Sequence, residues 1–392
     1  MKVRFETFGC RLNRAEALDE EARYIADGWQ VTGHRSDADL IVVRGCSVTR
    51  RAERDTLKLI EHLKEKYPAA KIRVTGCIGK REQDVLAPKT TEATPLRTSR
   101  AYLKVQDGCS GKCTFCIVPK FRGPSVSVDF EKVMDKAKRF IEAGYREIVV
   151  TGCNLSLYAS CSKRLPDLLS SLAALAPRSQ DEPFRIRIGS LEPGICDMEC
   201  VSVMASNPNI CRFLHIPVQS GSPQILAAMK RPYLVRDVDN LVKAAVKAMP
   251  LISVGCDLMT GFPGEMDIDF QATLSLLKRL NFSNAHIFPY SERPGTLASQ
   301  MGGALPREIR IERARLLSSF AMAQRKRYAK KFIGRKVEVV IEDEKECSGW
   351  TGEYLRFKSA GAGFGNSFKR KGLYGFVVTE VKDDVLKGRP LR

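Results

Sequence analysis

Three times in the first eighty residues a strand-like run closes on a glycine followed at once by a cysteine. The runs are RFETFGC ending at Cys10, IVVRGC ending at Cys46 and IRVTGC ending at Cys77. The chain between them has helical character. Lys2–Phe8 alternates as a strand. Asn13–Asp27 then has helix spacing, with Asn13 placed as an N-cap and Gly28 as a stop. Leu40–Val43 is a short apolar run, the stretch from Thr49 to about Lys66 is helical, Pro68 breaks it, and Lys71–Val74 is strand-like again. A βαβα order requires crossover helices and so predicts a doubly wound parallel sheet. The carboxyl ends of its strands share one rim, where thiols remote in sequence converge. The glycines allow the tight turn and close backbone approach. Cys10, Cys46 and Cys77 are then either a three-thiolate metal site or three small core residues, cysteine being among the most buried residue types.

A second cysteine group is local. Cys109, Cys113 and Cys116 form a C-x3-C-x2-C loop. Three thiolates this close can ligate three irons of a [4Fe–4S] cluster and leave the fourth iron open for chemistry; a zinc site is the other reading. The loop follows a predicted strand, Tyr102–Gln106. Further strand candidates are Glu147–Thr151, Phe184–Ile188, Phe213–Val218, Ile252–Leu258 and Ala285–Tyr290, with helical patterns such as Phe130–Ala143 and Phe270–Leu280 between most of them. Six such units predict a partial (βα)6 barrel whose active site lies at the carboxyl ends of the strands. A long basic helix, Arg307–Lys331, closes the block. Beyond it Lys336–Ile341, Tyr354–Phe357 and Tyr374–Val378 predict a small β-barrel, an architecture often used to bind nucleic acid. The polar stretch 78–100 reads as a linker. The expected division is 1–95, 96–332 and 333–392.

At 392 residues, with 44% hydrophobic and 28% charged residues, the chain has material for more than one core. It has no apolar run near the length of a membrane span and no signal-like start, so a cytoplasmic location and no membrane partner are expected. The charge is 64 − 45 = +19, spread as +5 over residues 1–100, +10 over 101–330 and +4 over 331–392. That excess suggests either a polyanionic partner or a solvated basic surface. Of the remaining cysteines, Cys153 also follows a strand and a glycine, and Cys196 and Cys200 share a C-x3-C spacing without a third partner. Cys161, Cys211, Cys256 and Cys347 read as ordinary small residues. His215 and His286 lie on strand candidates and face either the barrel mouth or the core. The glycines of Gly261–Glu265 follow a strand and offer N–H groups to a ligand.

Taken in order, TFGCRLNRAEA, VRGCSVTRRAER, VTGC, VQDGCSGKCTFCIVPKFRG, EIVVTG, SLEP, HIPVQSGS, DLMTGFPGE and YSERPGT resemble the segments of the radical S-adenosylmethionine methylthiotransferases, and the C-terminal segment resembles the RNA-binding TRAM β-barrel. The resemblance implies two [4Fe–4S] clusters and S-adenosyl-L-methionine. Cys109, Cys113 and Cys116 would hold the cluster whose open iron chelates S-adenosylmethionine, the source of a 5′-deoxyadenosyl radical. Cys10, Cys46 and Cys77 would hold an auxiliary cluster carrying the sulfur to be inserted. Phe115 would pack near the adenine, and Gly152, Ser190, Glu192, Gln219 and Ser220 would face the barrel mouth as cofactor contacts, if they are not plain strand-end or turn residues. Cys46-Ser-Val-Thr49, with Ala52 and Arg54, resembles the branch acting on N6-threonylcarbamoyladenosine beside the tRNA anticodon, at position 37. The alternatives are N6-isopentenyladenosine in tRNA, a ribosomal-protein aspartate, or a non-catalytic iron–sulfur RNA-binding protein. The expected partners are a tRNA anticodon stem-loop, not DNA, and an electron donor of unknown identity. Two departures stand out. Only 31 residues separate Cys77 from Cys109, fewer than is usual in the family, and Cys153 is unusual at its position.

Overall fold

The computed structural model describes residues 1–46, 50–78, 98–175, 183–360, 368–369 and 371–391. Most of the expected linker, and Ser47–Thr49, lie outside them. Strands β1 (Lys2–Thr7), β2 (Gln30–Val31), β3 (Leu40–Gly45) and β4 (Lys71–Gly76) form a parallel sheet in the order β2-β1-β3-β4. The helices are α1 (Arg11–Ala26) and α2 (Arg50–Lys66). The α2 helix buries Thr56, Ile60 and Leu63, residues spaced to share one face, the last two against Ile41 and Val43 of β3. One local expectation fails. Cys10, not Asn13, holds the N-cap position of α1. Asn13 is fully buried, and its amide donates to the carbonyls of Phe8 (2.8 Å) and Gly45 (3.1 Å). Two carbonyls at neighbouring strand ends, one of them already accepting from Cys77 N–H, claim the side chain more strongly than a solvent-facing cap would.

The central block has strands β5 (Ala101–Lys104), β6 (Glu147–Thr151), β7 (Arg185–Ile188), β8 (Phe213–Gln219), β9 (Ser253–Thr260) and β10 (Asn284–Pro289). They run parallel as β5-β6-β7 and β8-β9-β10, with bridges Ile186↔Ile210 and Ser190↔His215 joining the two halves. This is the expected open six-stranded barrel. Its outer face (Ile148, Val150, Ile186, Ile188, Leu214, Ile216, Val254, Cys256 and Leu258) forms one core with the surrounding helices. By strand alternation the intervening residues face inward.

Part of the inner face is covered by the N-terminal sheet's own helix. Ala15 and Leu18 of α1 pack on Tyr102 and Val149. The long helix Arg307–Lys330 leads to a closed antiparallel-dominated barrel of β11 (Lys336–Asp343), β12 (Ser348–Thr351), β13 (Arg356–Ser359), β14 (Leu373–Lys382) and β15 (Val385–Pro390), ordered β11-β12-β13-β15-β14. Tyr354, expected in a strand, sits in a left-handed turn at φ 62°. The second barrel docks through charge. Glu147 is fully buried and accepts from Arg185 (2.7 Å) and Arg187 (2.8 Å), and these guanidiniums also donate to the carbonyls of Glu338 and Thr351 at 2.8 Å. Among the described residues no helix is long and apolar enough to cross a membrane.

Candidate active site

The cysteine loop lies between β5 and a short helix, α3 (Val118–Arg122). Its backbone is pinned at both ends. Cys109 N–H donates to the Gly123 carbonyl (3.0 Å) and Thr114 N–H to the Met229 carbonyl (3.1 Å). Gly111 lies between two sulfurs: its N–H donates to Cys109 Sγ at 3.3 Å, and a Cβ there would stand 3.2 Å from Cys109 Sγ and 3.9 Å from Cys113 Sγ. Three thiols on one short loop are the donor set of a cluster that gives each thiolate its own iron. Burial pushes the Cys116 thiol up to about 11. Burial also raises Cys113, partly offset by Arg231. A bound metal supplies the positive charge that makes such thiols thiolates.

Arg231 is the residue sequence reasoning missed at this site. Its guanidinium donates to Cys113 Sγ at 3.0 Å and pairs with Glu192 at 2.6 Å, and it lies over the Tyr233 ring. Nothing in its local sequence, KRPY, marks it, because the contact spans 118 residues.

The other expected cofactor contacts are placed as follows. Phe115 packs against the apolar group of Met229, Met259 and Phe262. Gly152 meets Gln106 so closely that a Cβ would stand 2.8 Å from its Oε1. Ser190 is exposed and bridged to His215. Ser220 is buried and taken up by Thr273 Oγ1 (3.2 Å) and the Ser222 N–H (3.1 Å). Gln219 has a left-handed backbone at φ 66°, and its buried Oε1 has no hydrogen-bond partner among the described residues. A strained backbone with an orphaned polar atom at a barrel strand's carboxyl end fits a site completed by a polar ligand. The Gly261–Glu265 turn does not. Gly261 N–H donates to Glu265 Oε1 (2.8 Å), and Glu265 pairs with Arg313 of the Arg307–Lys330 helix (2.5 Å), so the turn anchors that helix.

The second thiol set lies on three adjacent strand ends of the first sheet. The crevice between β1 and β3, where the strand order reverses, is the usual ligand position in such sheets. A Cβ on Gly9 (φ 93°) would stand 2.6 Å from Cys46 Cβ and 3.0 Å from its Sγ, and a Cβ on Gly76 (φ 82°) would meet the Gly45 carbonyl at 2.6 Å. Glycine is what lets the two turns close. Cys46 and Cys77 are buried and Cys10 is exposed.

Arg122, the last residue of α3, reaches across from the first loop. It lies 3.3 Å from Cys77 Sγ, pairs with Glu16 and Asp107 at 2.9 Å each, and donates to Asn13 Oδ1 at 2.8 Å. Burial opposes the charge of Glu16. The Arg122 hydrogen bond and the Lys104 charge outweigh burial and hold that carboxyl at about 2. Cys153 Sγ is 3.6 Å from Asp107 Oδ1. Burial raises its thiol, and so do the charges of Asp107 and Cys10. The unusual cysteine therefore belongs to this neighbourhood. Cys196 Sγ donates to the Ser156 carbonyl (3.8 Å), and Cys200 is fully buried.

Comparison with known proteins gives this geometry a class. Residues 103–277 match the Radical SAM superfamily and residues 2–95 match the Uncharacterized protein family UPF0004. The fold resembles the solved structure of radical S-adenosylmethionine methyltransferase TsrM from Kitasatospora setae, with a TM-score of 0.54 at 13% identity over 76% of this chain and 77% of that one. The family match makes this a radical S-adenosylmethionine enzyme, which uses S-adenosylmethionine and a [4Fe–4S] cluster. The Threonylcarbamoyladenosine tRNA methylthiotransferase MtaB of Aquifex aeolicus is 31% identical over 92% of this chain and 97% of its own length. That of Thermotoga maritima is 31% identical over 99% and 98%. The tRNA-2-methylthio-N(6)-dimethylallyladenosine synthase of Bartonella bacilliformis is 30% identical over 88% and 86%. The chain belongs to the radical S-adenosylmethionine methylthiotransferase family. Membership sets aside the non-catalytic reading.

Proposed function

We propose that the protein methylthiolates tRNA, converting N6-threonylcarbamoyladenosine beside the anticodon, at position 37, to its 2-methylthio form in the cytoplasm. The observation that carries the reading is Arg122, which leaves the first cysteine loop and ends against Cys77 of the second set. One reaction that must both activate a C–H bond and insert sulfur needs two such sites side by side. In this reading Cys109, Cys113 and Cys116 hold the radical cluster, and Cys10, Cys46 and Cys77 hold a second one. Residues 1–95 carry the sulfur-donating site, 96–332 the radical site, and 333–392 bind the anticodon stem-loop. When bound, the cofactors supply a carbon radical able to take hydrogen from an unreactive carbon, and the sulfur that replaces it.

The chain's own residues position and protect. Arg231, held by Glu192, donates to Cys113 Sγ, and such hydrogen bonds tune a cluster's potential. Gln219 Oε1 offers an acceptor to S-adenosylmethionine; Phe115, Gly152, Ser190 and Ser220 lie on the same loops and strand ends. The α1 helix closes the inner face over Tyr102 and Val149 and keeps water from that side. The net charge of +19 favours a polyanion. The relatives named for threonylcarbamoyladenosine span 92% and 99% of the chain, which supports that substrate over the dimethylallyl one. Mass spectrometry of tRNA nucleosides after anaerobic reaction decides. A methylthio group on the threonylcarbamoyl nucleoside alone is expected. Its appearance only on the isopentenyl nucleoside, or on neither, overturns the assignment.

A further inference from the structure

On the inner face of β8, β9 and β10, three side chains that the cysteine chemistry does not use form one set. His215 stands opposite Gly255, and Asp257 opposite His286, in the strand register. Asp257 Oδ2 is 3.0 Å from His215 Nε2, and its Oδ1 is 3.2 Å from His286 Nδ1. The ring centroids are 5.1 Å apart. Space for the inner ring is built in, since a Cβ on Gly255 would stand 2.7 Å from His215 Nδ1. Two imidazoles and a carboxylate also have the composition of a metal site. Here, however, each carboxylate oxygen serves a different ring, as in a hydrogen-bonded set.

Exposure rises along the set: the side chains of His215, Asp257 and His286 are 7%, 24% and 56% exposed. The set is also tied to the radical site. Leu191 N–H donates to the His215 carbonyl (2.9 Å), and the next residue, Glu192, holds Arg231 against Cys113. The ionised carboxylate accepts from both rings. His286 Nδ1–H is therefore given to Asp257, and its Nε2 is the nitrogen left for a ligand.

We infer that His215, Asp257 and His286 form a substrate subsite in which His286 Nε2 hydrogen-bonds the polar N6 substituent of the target adenosine. The inference rests on the threonylcarbamoyl reading above. That substituent carries urea N–H groups and a hydroxyl, either of which donates to the unprotonated Nε2. An isopentenyl group is hydrocarbon and leaves the nitrogen unpaired. Sites built to hydrogen-bond a substrate discriminate strongly against the analogue that lacks the partner.

The test uses the full-length, cluster-reconstituted protein and two anticodon stem-loop RNAs, one with threonylcarbamoyladenosine and one with isopentenyladenosine. The readout is the ratio of kcat/KM for the two. In His286→Phe the ratio should fall by at least about tenfold, the value of one good hydrogen bond, and His286→Gln should restore much of it. Asp257→Asn, which loosens the ring, should lower it too. Equal loss on both RNAs means a structural role and overturns the subsite. So does an unchanged ratio, or one equivalent of zinc that Asp257→Asn abolishes. If the wild type acts only on the isopentenyl RNA, the substrate reading fails with it. If the wild type prefers the threonylcarbamoyl RNA and His286→Phe keeps that preference, only the subsite fails.

Discussion

At the scale of single residues, the two guanidiniums on sulfur matter most. Arg231 donates to Cys113 Sγ with its charge desolvated, so its removal strips a strong hydrogen bond from the thiol proposed as a cluster ligand. Arg231→Gln should move the cluster potential to a more negative value, read by electron paramagnetic resonance during a redox titration. An unmoved potential would separate Arg231 from the cluster. Cys113→Ala should abolish reductive cleavage of S-adenosylmethionine, measured as methionine release; survival of cleavage would sink the ligand assignment. Cys46→Ala should instead remove one of two clusters, read as half the bound iron, and stop sulfur insertion. Bound iron at the wild-type level would remove Cys46 from the ligand set. The cysteines were legible because their spacing or their place at strand ends is local. Arg231 was not, because its partner lies 118 residues away and its own surroundings carry no pattern.

At the scale of elements, the strand–glycine–cysteine turns decide whether the second site exists. Gly9 has φ 93°, and any Cβ would press on Cys46 Cβ at 2.6 Å. Gly9→Ala therefore combines backbone strain with a clash and should cost roughly 1–3 kcal/mol. The loss should appear as a lower denaturation midpoint and as iron missing from the second site but not the first. Sequence pattern located these turns and most strands and helices to within a few residues. It failed where a tertiary partner outbid a local preference. Asn13 left the cap for two buried carbonyls, and the Gly261–Glu265 turn closed on its own carboxylate instead of a ligand.

At the scale of the whole molecule, buried charge joins the three parts. Glu147 is fully buried among Arg100, Arg185 and Arg187, which reach the C-terminal barrel. Glu147→Gln leaves those guanidiniums without their anion and should destabilise the protein by about 3–5 kcal/mol, measured by chemical denaturation. The α1 junction is acid-sensitive. Glu16, about 2 in the folded protein against 4.5 unfolded, contributes stability that is present above about pH 4.5 and lost as pH falls toward 2. Glu16→Gln should flatten that part of the stability–pH curve; a curve as steep as that of the wild type would remove Glu16 from the linkage.

The sequence by itself determined the chemistry available: two sets of three thiols, one set by short spacing and one by repeated placement after parallel strands, and the alternation that makes such strands. It did so because period and spacing are properties of the chain alone. Only the tertiary structure decided what surrounds those thiols. It placed Arg122 between the two sites, Arg231 on Cys113, α1 over the open inner face, and His215, Asp257 and His286 in one hydrogen-bonded set. Each of these contacts joins residues far apart in sequence. The register between neighbouring strands and the docking of one layer on another bring them together, and no local pattern encodes either.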